Sequence, residues 1–122
     1  MTLKIGINGF GRIGRMVLRS IIENKRKDIE VVAINNRSNA EVSSFLLTHD
    51  TIHGSLKNKI NYSDHAISID GKKINMIQES EISNIDWKKY KVDVVLECTG
   101  KFNTKEKSAQ HLKSGVKKVL VS

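Results

Sequence analysis

The 122-residue sequence has no proline, one cysteine and six aromatic rings, of which three are Phe, two Tyr and one Trp. Each scarcity excludes something. Without proline, repeats or low-complexity tracts, nothing marks a linker, and a single domain over residues 1–122 is expected. The lone cysteine, Cys98, rules out an internal disulfide and offers no framework for a metal, which suits a reducing cytoplasm. No stretch approaches the ~20 apolar residues of a membrane span. The N-terminus runs from Met1 almost directly into a strand-like segment, with no signal-peptide design. Acidic residues are also in deficit, 13 against 21 Lys and Arg, for a net charge of +8. Such a surface attracts any anion: nucleic acid, an acidic membrane or phosphate groups. The lysines are scattered (Lys25, Lys57, Lys88, Lys117) and aromatic platforms are few, so they read as a solvated face rather than a nucleic-acid patch.

What is present begins with residues 5–14, IGINGFGRIG. The apolar, β-rich run at 3–8 predicts a strand, and Ile13, Val17, Leu18, Ile21 and Ile22 recur at helical spacing, with Arg12, Arg15, Arg19 and Glu23 pointing elsewhere. The cations of NKRK suit that helix's negative end. Residues 29–35 (IEVVAIN) form a nearly continuous apolar run, as expected of a strand buried on both faces of a parallel sheet. Three glycines spaced Gly9-x-Gly11-x-x-Gly14 therefore sit between a strand and a helix, the context in which this pattern reads as a dinucleotide-binding turn. Gly9 lets the chain leave the strand sharply, Gly11 lets a pyrophosphate approach the backbone, and Gly14 lets the helix pack closely. The free N–H groups near Arg12 and Ile13 and the helix dipole then favour the phosphates. The acidic residue expected about 20 positions on to hold the adenosine ribose is replaced by Asn36, an uncharged amide, with Arg37 beside it.

Further on, Ser38 or Asn39 caps a second helix carrying Val42, Phe45 and Leu46 on one face. Asp70-Gly71 between apolar runs predicts an antiparallel hairpin with a type I′ turn. After a polar turn near Asp86 and Trp87, residues 92–98 (VDVVLEC) read as a buried strand. Thr104 caps a helix through Leu112 that Gly115 closes, and residues 116–121 form a last strand. Thr99 and Gly100 follow a buried strand's carboxyl end, where ligands bind in open α/β sheets. Neither His49, His53, His65 nor His111 is placed with a serine or cysteine nucleophile, so no catalytic residue is assigned.

Together INGFGRIGR, VVAIN, LLTHDTIHG, ECTGKF and HLKSGVKKVLVS resemble the N-terminal half of phosphorylating glyceraldehyde-3-phosphate dehydrogenase, over all 122 residues. The resemblance implies a Rossmann-like, doubly wound α/β domain whose mostly parallel sheet makes an antiparallel hairpin excursion. It implies NAD as cofactor, with Arg12 and Ile13 of the turn Asn8, Gly9, Phe10, Gly11, Arg12, Ile13 and Gly14 at the pyrophosphate, Asn36 at the adenosine ribose, Thr99 and Gly100 beside the cofactor and Ser122 closing on the nicotinamide side; Arg37, next to Asn36, is a potential phosphate partner. Asn36 in place of the usual aspartate opens the site to NADP, and Ser80 stands where many members carry an arginine near the adenine. Cys98 replaces a common serine and, ending an apolar strand, is expected to be a buried small residue rather than the catalytic thiol. The family's nucleophilic cysteine, histidine base and substrate domain fall beyond Ser122. The intact enzyme is then expected to be a cytoplasmic homotetramer that oxidises glyceraldehyde 3-phosphate, with phosphate, to 1,3-bisphosphoglycerate in glycolysis and gluconeogenesis. The sister erythrose-4-phosphate dehydrogenases share most of these motifs, and a free-standing nucleotide- or nucleic-acid-binding module is the alternative from another class.

Overall fold

The structure, a computed structural model, describes residues 2–24, 27–37, 39–48, 60–79, 81, 84–99, 111–112 and 115–121. Among them β1 (Leu3–Asn8), α1 (Arg12–Glu23) and β2 (Ile29–Asn35) form the opening βαβ unit, with β1 and β2 parallel and Asn8 opposite Asn35. After α2 (Ala40–Thr48) come β3 (Ile60–Ser63), β4 (Ala66–Ile69) and β5 (Lys72–Ile77). A 3-10 turn at Trp87–Tyr90 then precedes β6 (Val94–Glu97) and β7 (Lys118–Val121). All seven strands lie in one sheet ordered β3-β4-β5-β2-β1-β6-β7. Only β4 runs against its neighbours; β5, β2, β1, β6 and β7 are parallel. Strand order reverses at β1, where the chain has built outwards first through β2 and then through β6. In open sheets of this kind ligands gather at the carboxyl ends of the strands flanking that reversal.

The hairpin forms as its turn chemistry dictates: Asp70 and Gly71 both take positive φ, +51° and +86°, the type I′ pattern. β5 continues past the hairpin to pair in parallel with β2, Ala33 opposite Asn75, which joins the antiparallel excursion to the parallel sheet. Asn39 caps α2, accepting from the Val42 N–H at 2.9 Å; Ser38 lies outside the described residues.

The face expected of α2 is present and lies outwards, whereas that expected of α1 is corrected. In α2 the buried residues are Ala40, Ser43, Ser44 and Leu47, while Val42, Phe45 and Leu46 face outwards and Phe45 is 62% exposed. In α1, Arg19 is buried and paired with Glu23 at 3.3 Å, whereas Ile13 is exposed. The helix closes on Asn24, whose side chain donates to the Ser20 carbonyl at 2.8 Å. Lys25 and Arg26 lie outside the described residues, as does the helix expected from Thr104, apart from His111 and Leu112. Gly115, at φ +89°, still closes that segment by donating to the Leu112 carbonyl at 3.2 Å.

Apolar residues gather in two clusters. One joins Ile5, Ile7, Phe10, Leu18 and Ile34 to β4 and β5; the other joins Ala33, Val95 and Val116 to Ile85, Trp87 and Val92. Trp87 is therefore a core anchor, not part of a polar turn, and is fully buried. Its indole lies over Gly6, where a Cβ would stand 2.6 Å from Cζ3, which explains a glycine inside a central strand. Gly6→Ala should destabilise the chain by about 1–3 kcal/mol, since a rigid ring in a packed core cannot yield; denaturant unfolding of the two chains measures this.

Candidate functional site

At the carboxyl end of β1 the chain turns through Gly9 at φ +95° and enters α1. The ladder is carried one residue further by two backbone bonds: Gly9 N–H donates to the Asn35 carbonyl at 2.7 Å and Cys98 N–H to the Asn8 carbonyl at 2.8 Å. The three motif glycines have different neighbours. A Cβ at residue 9 would lie 2.7 Å from Thr99 Cγ2, and one at residue 14 would collide with the Gly9 carbonyl oxygen. The fold itself requires these two. At residue 11 a Cβ would meet nothing within 4 Å, and φ −80°, ψ −156° is backbone that any residue adopts. Nothing in the described residues explains the missing side chain there, and none of them fills the space it leaves.

That space opens onto the start of α1. Gly11, Arg12 and Ile13 are exposed, no side chain caps the helix, and its first turn holds no acidic residue. The amides of a helix opening on an uncapped glycine, with the positive end of the dipole behind them, suit an anion. Phe10 contributes only backbone, because its ring is buried in the core; its carbonyl accepts from Arg15 Nη1 at 3.2 Å. Its N–H donates to Asn36 Oδ1 at 3.3 Å. Asn36 is thereby oriented, its oxygen turned to the turn's backbone and its NH₂, a pure donor, left for other partners. Arg37 beside it is exposed, with its carbonyl accepting from Gln78 Nε2 at 3.1 Å.

Beneath the rim lies a buried polar row that the sequence reading did not find. Asn35, Asn8 and Glu97 end three adjacent strands in register. Asn35 Nδ2 donates to Asn8 Oδ1 at 2.8 Å, and Asn8 Nδ2 donates to Glu97 Oε1 at 2.7 Å. Asn35 also clasps Glu79, accepting from its N–H at 2.8 Å and donating to its carbonyl at 2.9 Å. Glu97, 1% exposed, further accepts from the Thr99 hydroxyl at 2.6 Å and the Thr99 N–H at 3.0 Å. His111 Nε2 stands 2.8 Å from Glu97 Oε1, and Trp87 Nε1 donates to His111 Nδ1 at 3.0 Å. An indole N–H can only donate, so Nδ1 carries no proton and Nε2–H is the donor to the carboxylate. Burial pushes the Glu97 carboxyl's pKa up, but the bonds from His111, Thr99 and Asn8 outweigh it and hold the group below its ordinary value. One signal was available in the sequence: LKIGIN, IEVVAIN and VVLE each close an apolar run on a polar residue that an exposed loop would not need.

Of the residues expected at the site, the turn, Asn36, Arg37 and Thr99 converge at the carboxyl ends of β1, β2 and β6. Asn8 lies below the rim with its side chain engaged. Ser80, Gly100 and Ser122 fall outside the described residues, as do His49 and His53. Cys98 is half-buried against the first core cluster rather than fully buried.

Residues 3–105 match the family described as glyceraldehyde 3-phosphate dehydrogenase, NAD binding domain. The chain is 44% identical to the plasmid-encoded glyceraldehyde-3-phosphate dehydrogenase of Cupriavidus necator, covering 100% of this chain and 37% of that protein. It is 46% identical to the glyceraldehyde-3-phosphate dehydrogenase of Lactobacillus delbrueckii subsp. bulgaricus, over 100% of this chain and 37% of the relative. The corresponding protein of Thermotoga maritima is 43% identical over 98% of this chain and 36% of its own length. The chain thus spans little more than a third of the curated relatives it matches.

The glycine geometry makes a separable prediction. Gly14→Ala should cost more than about 2 kcal/mol, because helix and turn must move apart. Gly11→Ala should leave stability within about 0.5 kcal/mol, the poorer cap being offset by a less flexible unfolded chain. Parallel urea denaturation curves of the two variants measure the difference.

Proposed function

The chain belongs to the family of glyceraldehyde-3-phosphate dehydrogenase NAD-binding domains, and from that premise we propose that its glycine turn and strand ends cradle NAD. The carrying observation is the space at Gly11, which a Cβ would fill and no described residue uses. The first-turn amides beside Arg12 and Ile13 receive the pyrophosphate, with Asn8, Gly9, Phe10 and Gly14 shaping the turn beneath it. Asn36 and Arg37 face the adenosine ribose and Thr99 the cofactor's other half; the family resemblance assigns Ser80 to the adenine region and Gly100 and Ser122 to the nicotinamide side. When bound, the nicotinamide accepts a hydride; this chain's residues bind and orient it.

The same site tolerates NADP. A carboxylate at position 36 would repel a 2′-phosphate, whereas the Asn36 amide, its oxygen held by the Phe10 N–H, offers a donor, and exposed Arg37 supplies a cation.

In the intact protein this domain serves an oxidoreductase that converts glyceraldehyde 3-phosphate and phosphate to 1,3-bisphosphoglycerate. The nucleophilic cysteine, the histidine base and the substrate domain that the resemblance implies are assigned to the rest of that enzyme. A cytoplasmic homotetramer is the assembly we assign to that enzyme. No helix among the described residues is long and apolar enough to cross a membrane. The relatives' shared name favours neither the erythrose-4-phosphate nor the nucleic-acid reading.

Titration of the chain with NADH and NADPH, followed by cofactor fluorescence, tests both parts. Saturable binding of both is expected, with affinities within about tenfold, and Asn36→Asp should weaken NADPH by a further factor of about ten or more relative to NADH. Absence of binding at millimolar concentration would contradict the NAD reading; a parent chain that already rejects NADPH would contradict the tolerance.

A further inference from the structure

The row beneath the rim does not end at Glu97. All the acceptor directions of that carboxylate are taken: Asn8 and His111 on Oε1, the Thr99 N–H and hydroxyl on Oε2. It can neither rotate nor release one donor without stranding another in a site that water does not reach. Its orientation is set in turn by His111, whose tautomer is fixed by the Trp87 indole; both are fully buried, in van der Waals reach with ring centroids 5.9 Å apart. At the other end Thr99, with both donors turned down to Glu97, sets its methyl where a side chain on residue 9 would stand. A chain of four hydrogen-bonded groups therefore runs from the second core cluster to the turn.

Resting on the NAD reading above, we propose that Glu97 is a positioning residue for the dinucleotide, oriented from below by His111 and Trp87, so that loss of the His111 bond loosens Thr99 and Asn8 and weakens cofactor binding. None of the three needs to touch the ligand. Their contribution is a rim already in its binding geometry, which spares the ligand the cost of ordering it. A second consequence follows from continuity: occupancy of the rim alters the hydrogen bond at the far end, at the chain's single tryptophan.

Two measurements on the parent chain and two variants test this. In ¹H–¹⁵N spectra titrated with NAD, the one indole N–H resonance should shift in step with the amides of residues 11–13, although Trp87 is buried against Gly6. His111→Gln keeps a donor for Glu97 and an acceptor for the indole at nearly imidazole spacing, and should bind NAD within about twofold of the parent. His111→Leu keeps bulk but no polar atom and should bind about tenfold more weakly. Amides at 11–13 that shift while the indole stays still would overturn the proposal, as would equal affinity of the Gln and Leu variants. If His111→Leu does not fold, the indole shift in the parent chain decides. No shift at 11–13 either would instead sink the NAD reading itself, which keeps the two failures apart.

Discussion

The carbonyl oxygen of Gly9 occupies the place where a side chain on residue 14 would begin, and this close approach sets the position of everything around the turn. It brings the first turn of α1 down onto the end of β1, so that the helix's unpaired amides open at the strand reversal rather than above it. Gly9 takes positive φ to make that approach, and Thr99 packs against it from the neighbouring β6 side. With these two glycines committed to the fold, Gly11 stands out among the three as the one whose bareness serves no contact among the described residues.

Support for the turn comes from an unusual place for polarity. Parallel strands buried on both faces ordinarily end in loops that solvent satisfies. Here Asn35, Asn8 and Glu97 end their strands inside the protein and satisfy one another. A buried carboxylate would be costly alone; with donors from Asn8, Thr99 and His111 it becomes a rigid junction. The arrangement ties β2, β1 and β6 together at the level where a ligand would rest, and Trp87 fastens the junction to the opposite cluster.

Much of this was legible in the sequence because the signals are local. The glycine spacing between a strand and a helix, the Asp70-Gly71 turn, Asn39 as a cap and the continuous runs of β2 and β6 all depend on nearest neighbours, and the structure bears each out. Features decided by distant partners were not legible. β3 is a short, polar edge strand, INYS, with no alternation strong enough to announce it. The outward stripe of α2 and the burial of Arg19 depend on what each helix packs against, which periodicity alone does not identify. Trp87 beside three charged residues reads as a surface turn until Gly6 is seen to leave room for its ring. His111 gained its role only from the pairing of strands 14 residues away at Glu97.

The most direct measurement is calorimetric titration of Gly11→Ala with NAD, run on protein whose unfolding curve matches the parent's. If the bare backbone at residue 11 is where the diphosphate comes to rest, one added methyl should lower NAD affinity by about tenfold or more with the fold intact. An alanine chain that binds NAD as tightly as the parent would show that the cofactor does not lie against this backbone.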